Sequence, residues 1–424
     1  MRQVVIAGAG LAGARAAEAL RAAGYEGELT IVGAEPHPPY DRPPLSKAVL
    51  KGEADDTVLG VDLAALRCRA LLGHRATALR LAADAGGVVE TTAGELPFDG
   101  LVIATGAAPV ALPGAAARLL RTIDDARALR AALRPGRRLA IVGAGWIGAE
   151  VATAAAAAGC RVTVVEAAGA PLSAALGAEV GALTAPWYAE AGVELVTGRA
   201  VAAVEADGLA LTGGGRIEAD EVLVCVGVRP ETGWLAGSGL ALDRGVAVDG
   251  ALRAALADPG GGGAPGRGRP GVPRPEVVAA GDCAAWWSAR YRRRLRVEHW
   301  DTALNSPDVA AATLVGRPAV YDPVPYFWSE QFGRMVQYAG SHRSAGEGAE
   351  RDGEDGAERL VMRGDPAGRK WAACWLSGDR LDAILTVDQP RDLVQARRIM
   401  KADGRIDPKL LANPEVPVRN AVPS

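Results

Sequence analysis

The feature that most constrains this chain is a glycine turn between an apolar run and an alanine-rich segment near the N-terminus. Residues 4–7 lead into Gly8, Gly10 and Gly13, spaced G-x-G-x-x-G, and residues 14–23 have the composition of a helix. Gly8 permits the tight turn, Gly10 lets the backbone approach a pyrophosphate, and Gly13 lets helix and strand pack closely. The first N–H groups of the helix and its dipole then favour phosphate.

An acid closes the next apolar run, as a dinucleotide-binding fingerprint requires. Residues 29–34 read LTIVGA and end at Glu35, whose carboxylate can accept hydrogen bonds from the ribose hydroxyls of an adenosine. Glycine spacing alone is weak evidence, because the chain contains 54 glycines. Strand, turn, helix and acid together predict a dinucleotide site. The alternative is a tight turn in a Rossmann-like domain that binds nothing.

The pattern occurs a second time. Residues 139–142 lead into Gly143, Gly145 and Gly148, and residues 161–165 end at Glu166. Two such fingerprints in one chain are far more specific than one, and they imply two dinucleotides.

Composition excludes several other classes of protein. With 424 residues, the chain has room for about three domains. A net charge of -3 does not suggest nucleic acid or an anionic membrane as a partner. The five cysteines have neither metal-ligand nor C-x-x-C spacing, so we expect no metal, no disulfide framework and no dithiol centre. A strand begins within three residues and no apolar run could span a bilayer, so we expect a cytoplasmic protein.

The loop after Glu35 carries a family resemblance. Residues 39–47 read PYDRPPLSK, and with the first fingerprint they resemble flavoprotein ferredoxin reductases of the oxygenase-coupled, putidaredoxin reductase-like type. These belong to the two-dinucleotide-binding-domain flavoproteins, the pyridine nucleotide-disulfide oxidoreductase superfamily. The resemblance covers nearly the whole chain. It implies that Arg42 contacts the FAD pyrophosphate region and that Lys47 lies near the reactive flavin edge. An ordinary surface loop is the alternative.

The resemblance implies an α/β fold with two Rossmann-like dinucleotide-binding domains, for FAD and NAD, plus a C-terminal α+β domain. We expect an FAD-binding domain in two segments, 1–108 and 236–320. The NAD-binding domain is expected at 109–235 and the C-terminal interface domain at 321–424. The proline- and glycine-rich stretch at about 258–275 is predicted to be a disordered insertion, and 347–356 to be a mobile loop.

Further motifs extend the FAD site by resemblance. Asp282, in a Gly-Asp after an apolar run, is expected to bond the ribityl chain, and Arg121 to touch the flavin nucleotide, although Arg121 could instead be a solvated arginine at a helix start. The complete set of residues implied for FAD is Gly8, Gly10, Ala12, Gly13, Glu35, Arg42, Lys47, Ala76, Ala104, Thr105, Gly106, Arg121, Asp282, Val297 and Trp300.

The second fingerprint is assigned to the nicotinamide cofactor. The residues implied for NAD are Gly143, Gly145, Ile147, Gly148, Glu150, Glu166 and Gly227. The carboxylate of Glu166 can bond a free 2′-hydroxyl but repels a 2′-phosphate, and no arginine follows it closely. We therefore expect NADH to be preferred over NADPH by about tenfold or more.

Three residues are implied as catalytic: Lys47, Glu150 and Trp300. In the family, the matching glutamate pairs with the lysine at the flavin edge, so we expect a Lys47–Glu150 pair across the domain interface. A carboxylate near a helix N-terminus is favourable in any case, which is the alternative for Glu150. His299 and Trp328 match residues that line the flavin pocket, and we expect a structural role for His299 rather than that of a base.

The implied activity is that of an FAD-dependent ferredoxin–NAD(+) reductase, which passes electrons from NADH to a 2Fe–2S ferredoxin serving a cytochrome P450 or a Rieske-type oxygenase. The alternatives are an NADH oxidase or quinone reductase, and an NADH-sensing flavoprotein resembling apoptosis-inducing factor. We expect a monomer or homodimer. A dense basic run is either a solvated hairpin or a docking surface for an acidic ferredoxin, formed by Arg290, Arg292, Arg293 and Arg294.

Overall fold

A computed structural model of the chain describes residues 1–112, 117–258, 270–343 and 358–423. The chain divides into two compact units. The first comprises Met1–Asp41, Asp56–Ala108 and Val228–Pro323, and the second comprises Arg42–Asp55, Pro109–Gly227 and Val324–Ser424. The second unit therefore contains residues that we assign to the NAD-binding and C-terminal domains. The four predicted domain limits stay a prediction.

The helices of the described residues are α1 (Leu11–Ala22), α2 (Ala48–Lys51), α3 (Ile123–Ala132), α4 (Trp146–Ala157), α5 (Ser173–Ala182), α6 (Pro186–Glu190), α7 (Trp300–Leu314), α8 (Pro390–Lys401) and α9 (Pro408–Ala412).

The strands up to residue 230 are β1 (Gln3–Ala7), β2 (Glu28–Gly33), β3 (Cys68–Leu72), β4 (Ala76–Leu81), β5 (Gly87–Thr91), β6 (Gly94–Phe98), β7 (Gly100–Ile103), β8 (Ala107–Pro109), β9 (Ala117–Arg118), β10 (Arg138–Val142), β11 (Arg161–Glu166), β12 (Glu194–Thr197), β13 (Val201–Glu205), β14 (Gly208–Leu211), β15 (Arg216–Glu218), β16 (Glu221–Val224) and β17 (Val228–Pro230). The later strands are β18 (Val246–Val248), β19 (Arg253–Ala257), β20 (Pro270–Ala279), β21 (Ala284–Ser288), β22 (Arg293–Leu295), β23 (Tyr326–Gln331), β24 (Arg334–Gly340), β25 (Arg359–Gly364), β26 (Trp371–Ser377) and β27 (Arg380–Val387).

The first unit is built on a sheet of nine strands in the order β22-β21-β18-β19-β20-β7-β1-β2-β3. Its centre is parallel, because β1 pairs in parallel with β2 and β7, and β7 with β20. Residues 4–7 of β1 have no exposed surface, which explains their unbroken apolar sequence. Helices α1 and α7 pack against each other, and β4, β5 and β6 form a separate small sheet.

The second unit contains two five-stranded sheets. The first, in the order β12-β11-β10-β16-β9, is parallel. The second, in the order β23-β24-β27-β26-β25, is antiparallel, and α8 packs on β27 and β24. Two sheets that each contain parallel strands and a glycine turn, together with a later region of antiparallel strands and helices, confirm the predicted fold class.

One part of the predicted disordered insertion is ordered. Residues 270–275 belong to β20, which pairs with β19 in antiparallel fashion. Ladder hydrogen bonds to β19 hold this stretch extended despite its proline and glycine content, which is the physical reason for the error. Residues 259–269 and the predicted loop 347–356 lie outside the described residues. In the part of the chain that is described, no helix is long and apolar enough to cross a membrane.

Candidate functional site

The first glycine turn is fixed by close backbone contacts. Gly8 has φ +115°, and a Cβ atom placed there would lie 2.1 Å from the carbonyl oxygen of Ala104. A Cβ on Gly13 would lie 1.8 Å from the carbonyl oxygen of Gly8. Since real Cβ atoms do not approach backbone so closely, both positions require glycine for packing alone.

Gly10 is different, and it supplies the test for a bound dinucleotide. Within the described residues, a Cβ on Gly10 would meet no atom within 4 Å. Gly10 is the N-cap of α1 and has no side chain with which to cap the helix. The start of α1 therefore has room for an anionic phosphate group, which its first N–H groups would bind.

Four chain segments meet at the same edge of the first sheet as this turn. Because β20, β7, β1 and β2 are parallel neighbours, the residues that follow them lie along their common carboxyl edge, where ligands bind in open α/β sheets. These residues are 281–282, 104–106, 8–10 and Glu35, respectively. The Tyr40 hydroxyl donates to Glu35 Oε2 at 2.5 Å. A Cβ on Gly281 would lie 2.9 Å from the Cβ of Ala12.

The remaining residues predicted for FAD in this unit lie on its core or near α7. Ala76 begins β4 and Val297 follows β22, and both pack against the first unit's hydrophobic core. The Thr105 hydroxyl donates to the carbonyl oxygen of Glu231 at 2.7 Å. That these residues contact a cofactor stays a prediction.

Trp300 is tied to the proline-rich loop. Its indole Nε1 donates to Asp41 Oδ1 at 2.7 Å. Burial raises the pKa of Asp41, and the Trp300 hydrogen bond opposes that rise. His299 is the N-cap of α7. The protein around the ring removes it from water, which disfavours the charged imidazolium and lowers the pKa of His299 to about 4. The ring is therefore neutral at pH 7, which agrees with the structural role that we expect for it.

The second glycine turn has nearly the same backbone angles and close contacts as the first. A Cβ on Gly148 would lie 2.0 Å from the carbonyl oxygen of Gly143, and one on Gly145 would meet nothing within 4 Å. As the N-cap of α4, Gly145 has φ -79° and ψ -170°, against φ -80° and ψ -166° for Gly10. The second turn therefore has the same room for a phosphate at its helix N-terminus.

Glu166 is held firmly beside this turn. The backbone N–H of Ala144 donates to its Oε2 and that of Ala168 to its Oε1, each at 2.8 Å. Arg199 lies beside Glu166, because its backbone N–H donates to the Glu166 carbonyl oxygen at 3.2 Å. The Arg199 guanidinium, however, donates to the carbonyl oxygen of Gly214. The carboxylate thus has a fixed place at the end of β11.

Apolar side chains lie exposed at this edge of the second sheet. Ile147 in the first turn of α4 is 43% exposed, and Val226, which follows β16, is 41% exposed. Since β16 pairs in parallel with β10, both flank the glycine turn. Gly227 has φ +108°, and a Cβ there would meet nothing within 4 Å. A flat ligand lying over this edge would cover two otherwise solvated apolar groups.

Lys47 and Glu150 form the expected ion pair. Lys47 Nζ lies 2.9 Å from Glu150 Oε2, with 14% and 2% of the two side chains exposed. Lys47 Nζ also donates to the carbonyl oxygen of Pro43 at 3.2 Å. Both residues belong to the second unit, because the segment Arg42–Asp55 joins that unit. The pairing is therefore present within one compact unit, and its place at an interface between the FAD-binding and NAD-binding domains stays a prediction.

The two predicted arginines of the flavin site lie together. Arg42 Nη1 donates to the carbonyl oxygen of Arg121 at 2.5 Å, and both residues belong to the second unit. Arg121 precedes α3, whose N-terminus is closed by a capping box between Thr122 and Asp125. This cap fixes the chain direction at Arg121.

None of the five cysteines is set up as a reactive thiol. All are free, and burial raises the pKa of each one. For Cys225 the pKa is raised to about 12, first by burial and then by the charge of Glu150. Thiolates are the reactive form of cysteine, so these side chains act as small core residues.

Aromatic side chains continue from α4 into β23. The rings of Trp146 and Phe327 lie 4.7 Å apart, and Trp328 stacks on Tyr326 at 6.0 Å. The guanidinium of Arg397 lies over the Tyr326 ring at 4.6 Å. The flavin-lining role of Trp328 stays a prediction.

The predicted basic run forms the hairpin between β21 and β22. Arg294 donates to the carbonyl oxygens of Val248 at 2.7 Å and Ala285 at 2.6 Å, and burial lowers its pKa. Its Nη1 atom is thus engaged inside the first unit, which argues against a docking role for Arg294. Docking by any of the four arginines stays a prediction: Arg290, Arg292, Arg293 and Arg294.

Sequence reasoning missed three polar partners of the site. Ser46 and Ser329 both donate to Glu150, and Asp41 holds Trp300. Ser46 and Asp41 lie inside the quoted motif PYDRPPLSK, so their position was a usable signal. Nothing in the local sequence distinguishes Ser329 from a solvated strand serine.

Comparison with known proteins finds similarity along nearly the whole chain. Residues 2–306 match the family model described as pyridine nucleotide-disulphide oxidoreductase, and residues 326–422 match the one described as reductase C-terminal. The chain is 36% identical to the anthranilate 1,2-dioxygenase system ferredoxin–NAD(+) reductase component of Burkholderia cepacia, over 97% of each chain.

Solved structures agree. The crystal structure of Fdr9 is 45% identical, with a TM-score of 0.87 and 100% of both chains covered. The reductase in the covalent putidaredoxin reductase–putidaredoxin complex is 31% identical, with a TM-score of 0.86, 99% of this chain covered and 97% of the other.

Proposed function

Since the chain belongs to the pyridine nucleotide-disulphide oxidoreductase family, we propose that this oxidoreductase is an NADH-dependent ferredoxin reductase. It passes electrons through FAD to a 2Fe–2S ferredoxin, which supplies a cytochrome P450 or a Rieske-type oxygenase. The observation that carries the proposal is the buried Lys47–Glu150 pair, whose lysine follows a segment, residues 36–46, that holds no cysteine.

Each glycine turn holds one of the two cofactors in this proposal. The glycine turn at Gly10 binds the FAD pyrophosphate through backbone N–H groups, and Glu35 binds its ribose. The turn at Gly145 does the same for the nicotinamide dinucleotide. FAD, when bound, takes up the two electrons of a hydride and releases them one at a time. Lys47 presents a cation, which favours the negative charge that accompanies reduction.

The absence of a sulfur relay separates this proposal from disulfide reduction. Disulfide reductases of this fold carry redox cysteines near the flavin, whereas this chain reads Leu45-Ser46-Lys47 at that place. The raised thiol pKa values of all five cysteines agree with this reading. Electrons therefore leave toward the partner without passing through a thiol.

NADH rather than NADPH is the proposed electron donor. Glu166 is fixed by two backbone N–H groups at 2.8 Å, so it cannot swing away from a 2′-phosphate without losing both bonds. The Arg199 guanidinium is directed to the Gly214 carbonyl instead of toward the cofactor edge. Repulsion between like charges then favours NADH.

The proposed partner is an acidic ferredoxin, and Arg290, Arg292 and Arg293 are its proposed docking residues. Complementary charge raises the association rate and fixes orientation. A cytoplasmic location and a monomer or homodimer complete the proposal.

The test is NADH-dependent cytochrome c reduction with and without an added 2Fe–2S ferredoxin. We expect a saturable, ferredoxin-dependent rate that falls as salt is raised, because salt screens the docking charges. Replacing Arg292 and Arg293 by glutamine should weaken the salt dependence, and the same change at the exposed Arg134 serves as control. A rate that ferredoxin does not alter, accompanied by rapid oxygen uptake, would identify an NADH oxidase instead. Little turnover with NADH-driven dimerisation would identify a sensor.

A further inference from the structure

The carboxylate of Glu150 has more partners than an ion pair requires. Its Oε2 pairs with Lys47 Nζ at 2.9 Å and also accepts a hydrogen bond from the Ser46 hydroxyl. Its Oε1 accepts from the Ser329 hydroxyl at 2.6 Å. Both serines are buried, with 3% and 0% of their surface exposed. Three donors therefore surround one buried carboxylate.

Such an arrangement offsets the cost of burying a carboxylate. Removing a carboxylate from water is costly unless every oxygen finds a donor. Hydrogen bonds to a charged acceptor are about twice as strong as neutral ones. Lys47 alone reaches only one carboxylate oxygen, so Ser329 is the donor that satisfies the other.

The antiparallel sheet aims the Ser329 hydroxyl. Ser329 and Gln331 alternate along β23 and are both buried, whereas Glu330 between them is exposed. Gln331 Nε2 donates to Ser329 Oγ at 3.1 Å, which leaves the Ser329 hydrogen to point at Glu150. The end of the strand is anchored to α4, because the N–H of Phe332 donates to Thr153 Oγ1 at 2.9 Å.

We propose that Ser46 and Ser329 are positioning residues for the reductive half-reaction. They orient the Glu150 carboxylate, which in turn fixes the direction of the Lys47 ammonium together with the Pro43 carbonyl. The proposal rests on the proposed function in one respect, namely that the Lys47 ammonium acts on the bound flavin. It gives the C-terminal sheet, through Ser329, a part in setting the redox properties of the cofactor.

The test uses Ser329→Ala and Ser46→Ala in the full-length holoenzyme. Reduction of bound FAD by NADH is followed by anaerobic stopped-flow, without any ferredoxin. We expect each variant to be reduced about tenfold more slowly at saturating NADH, which corresponds to ~1.4 kcal/mol. The NADH concentration for half-saturation should change less than the rate, because the serines reach the proposed nucleotide site only through Glu150.

The midpoint potential of bound FAD supplies a readout that does not depend on turnover. A less firmly held Lys47 ammonium stabilises reduced flavin less, so the potential of each variant should become more negative. Ser329→Thr retains a hydroxyl and should keep the wild-type rate and potential. A purely structural role for the serines would lower thermal stability without moving the potential.

Ser377→Ala is a matched control. The Ser377 hydroxyl also donates to a carboxylate, that of Asp382, and Ser377 also lies in the antiparallel sheet. This variant loses the same type of bond but should keep both rate and potential. If Ser329→Ala and Ser46→Ala keep the wild-type potential and rate, or change them no more than Ser377→Ala does, the proposal is overturned.

The experiment separates this proposal from the ferredoxin reductase function. A normal reductive half-reaction with no transfer to any ferredoxin would refute the proposed function and leave the serine test intact. Ferredoxin-dependent turnover in the wild type, with no effect of either serine variant, would refute the serine roles alone.

Discussion

Glu166→Gln is expected to change the choice between NADH and NADPH. The substitution removes the negative charge at the end of β11 with little change in shape. It also leaves one carbonyl oxygen where two carboxylate oxygens accept the N–H groups of Ala144 and Ala168, each at 2.8 Å. One of these N–H groups therefore loses its acceptor, which costs about 1 kcal/mol in turn stability regardless of cofactor.

The effect on cofactor choice follows from Coulomb's law. Two unit charges 4 Å apart repel by about 1 kcal/mol in water and by about 4 kcal/mol at the effective dielectric near a protein surface. A 2′-phosphate carries at least one negative charge, so at the dielectric near a protein surface the removal of the Glu166 charge should relieve NADPH by more than about 1.4 kcal/mol. This equals a change of about tenfold in affinity.

The assay is kcat/KM for both cofactors, with ferricyanide or a ferredoxin as acceptor, at low and high salt. We expect the NADH-to-NADPH ratio to fall at least about tenfold in Glu166→Gln. Most of the change should come from NADPH, and the effect should shrink at high salt. Glu194→Gln is the control, because Glu194 lies on the adjacent strand opposite Thr163 and so removes a charge from the same sheet away from the turn.

The reasoning would be refuted by a ratio that is unchanged in Glu166→Gln, or that shifts equally in Glu194→Gln. The first outcome would mean that the carboxylate does not face the 2′ position. The second would mean that the overall charge of the sheet, rather than one fixed group, governs the preference.

Two further predictions concern the first unit. Gly10→Ala should keep the wild-type far-ultraviolet circular dichroism, since its Cβ meets no atom of the described residues, but it should lose FAD on gel filtration. Gly8→Ala should fail to fold, because its Cβ would lie 2.1 Å from the Ala104 carbonyl oxygen. If Gly10→Ala retains full FAD, the turn does not bind the pyrophosphate. For His299, the folded-state pKa of about 4 lies below the ordinary value of 6.5. Between these two pH values the unfolded state binds more protons than the folded state. The free energy of unfolding therefore falls as the pH drops through this range. Urea titrations at pH 7.5 and 4.5 should therefore show a smaller acid loss in His299→Gln, by up to about 3 kcal/mol, and equal losses would contradict the burial argument.

The glycine turns were predictable from the sequence because their requirements are local. The positive φ of Gly8 and the contact of Gly13 with the Gly8 carbonyl arise within a few residues, and the same spacing at Gly143 and Gly148 produced the same features. The apolar runs before each turn are buried strands at the centres of parallel sheets, as their composition indicates.

The polar contacts around the site could not be predicted in this way, since they join residues far apart in the chain. Ser329 is 179 residues from Glu150, and Trp300 is 259 residues from Asp41. Only the packing of whole elements brings them together. The Lys47–Glu150 pair was expected from a family resemblance, and periodicity alone would not have found it.

Local composition was misleading at residues 270–275. Proline and glycine lower strand propensity there, but pairing with β19 outweighs the local preference. The contacts of Arg294 were not predictable from its local sequence for a similar reason. A run of arginines suggests a solvated surface, yet alternate residues of a strand face opposite sides, and Arg294 reaches two carbonyl oxygens.

The division of the first unit among three chain segments has a consequence for biosynthesis. Strand β7 pairs on one side with β1, but its other neighbour, β20, supplies its matching residues only at 277–279. All strands of the parallel sheet in the second unit lie between residues 117 and 224 and leave the ribosome earlier. The parallel sheet of the second unit is therefore completed before the nine-stranded sheet of the first unit, although its synthesis starts later. From the synthesis of residue 103 until that of residue 279, strand β7 therefore lacks one neighbour, and this open apolar edge is prone to aggregation.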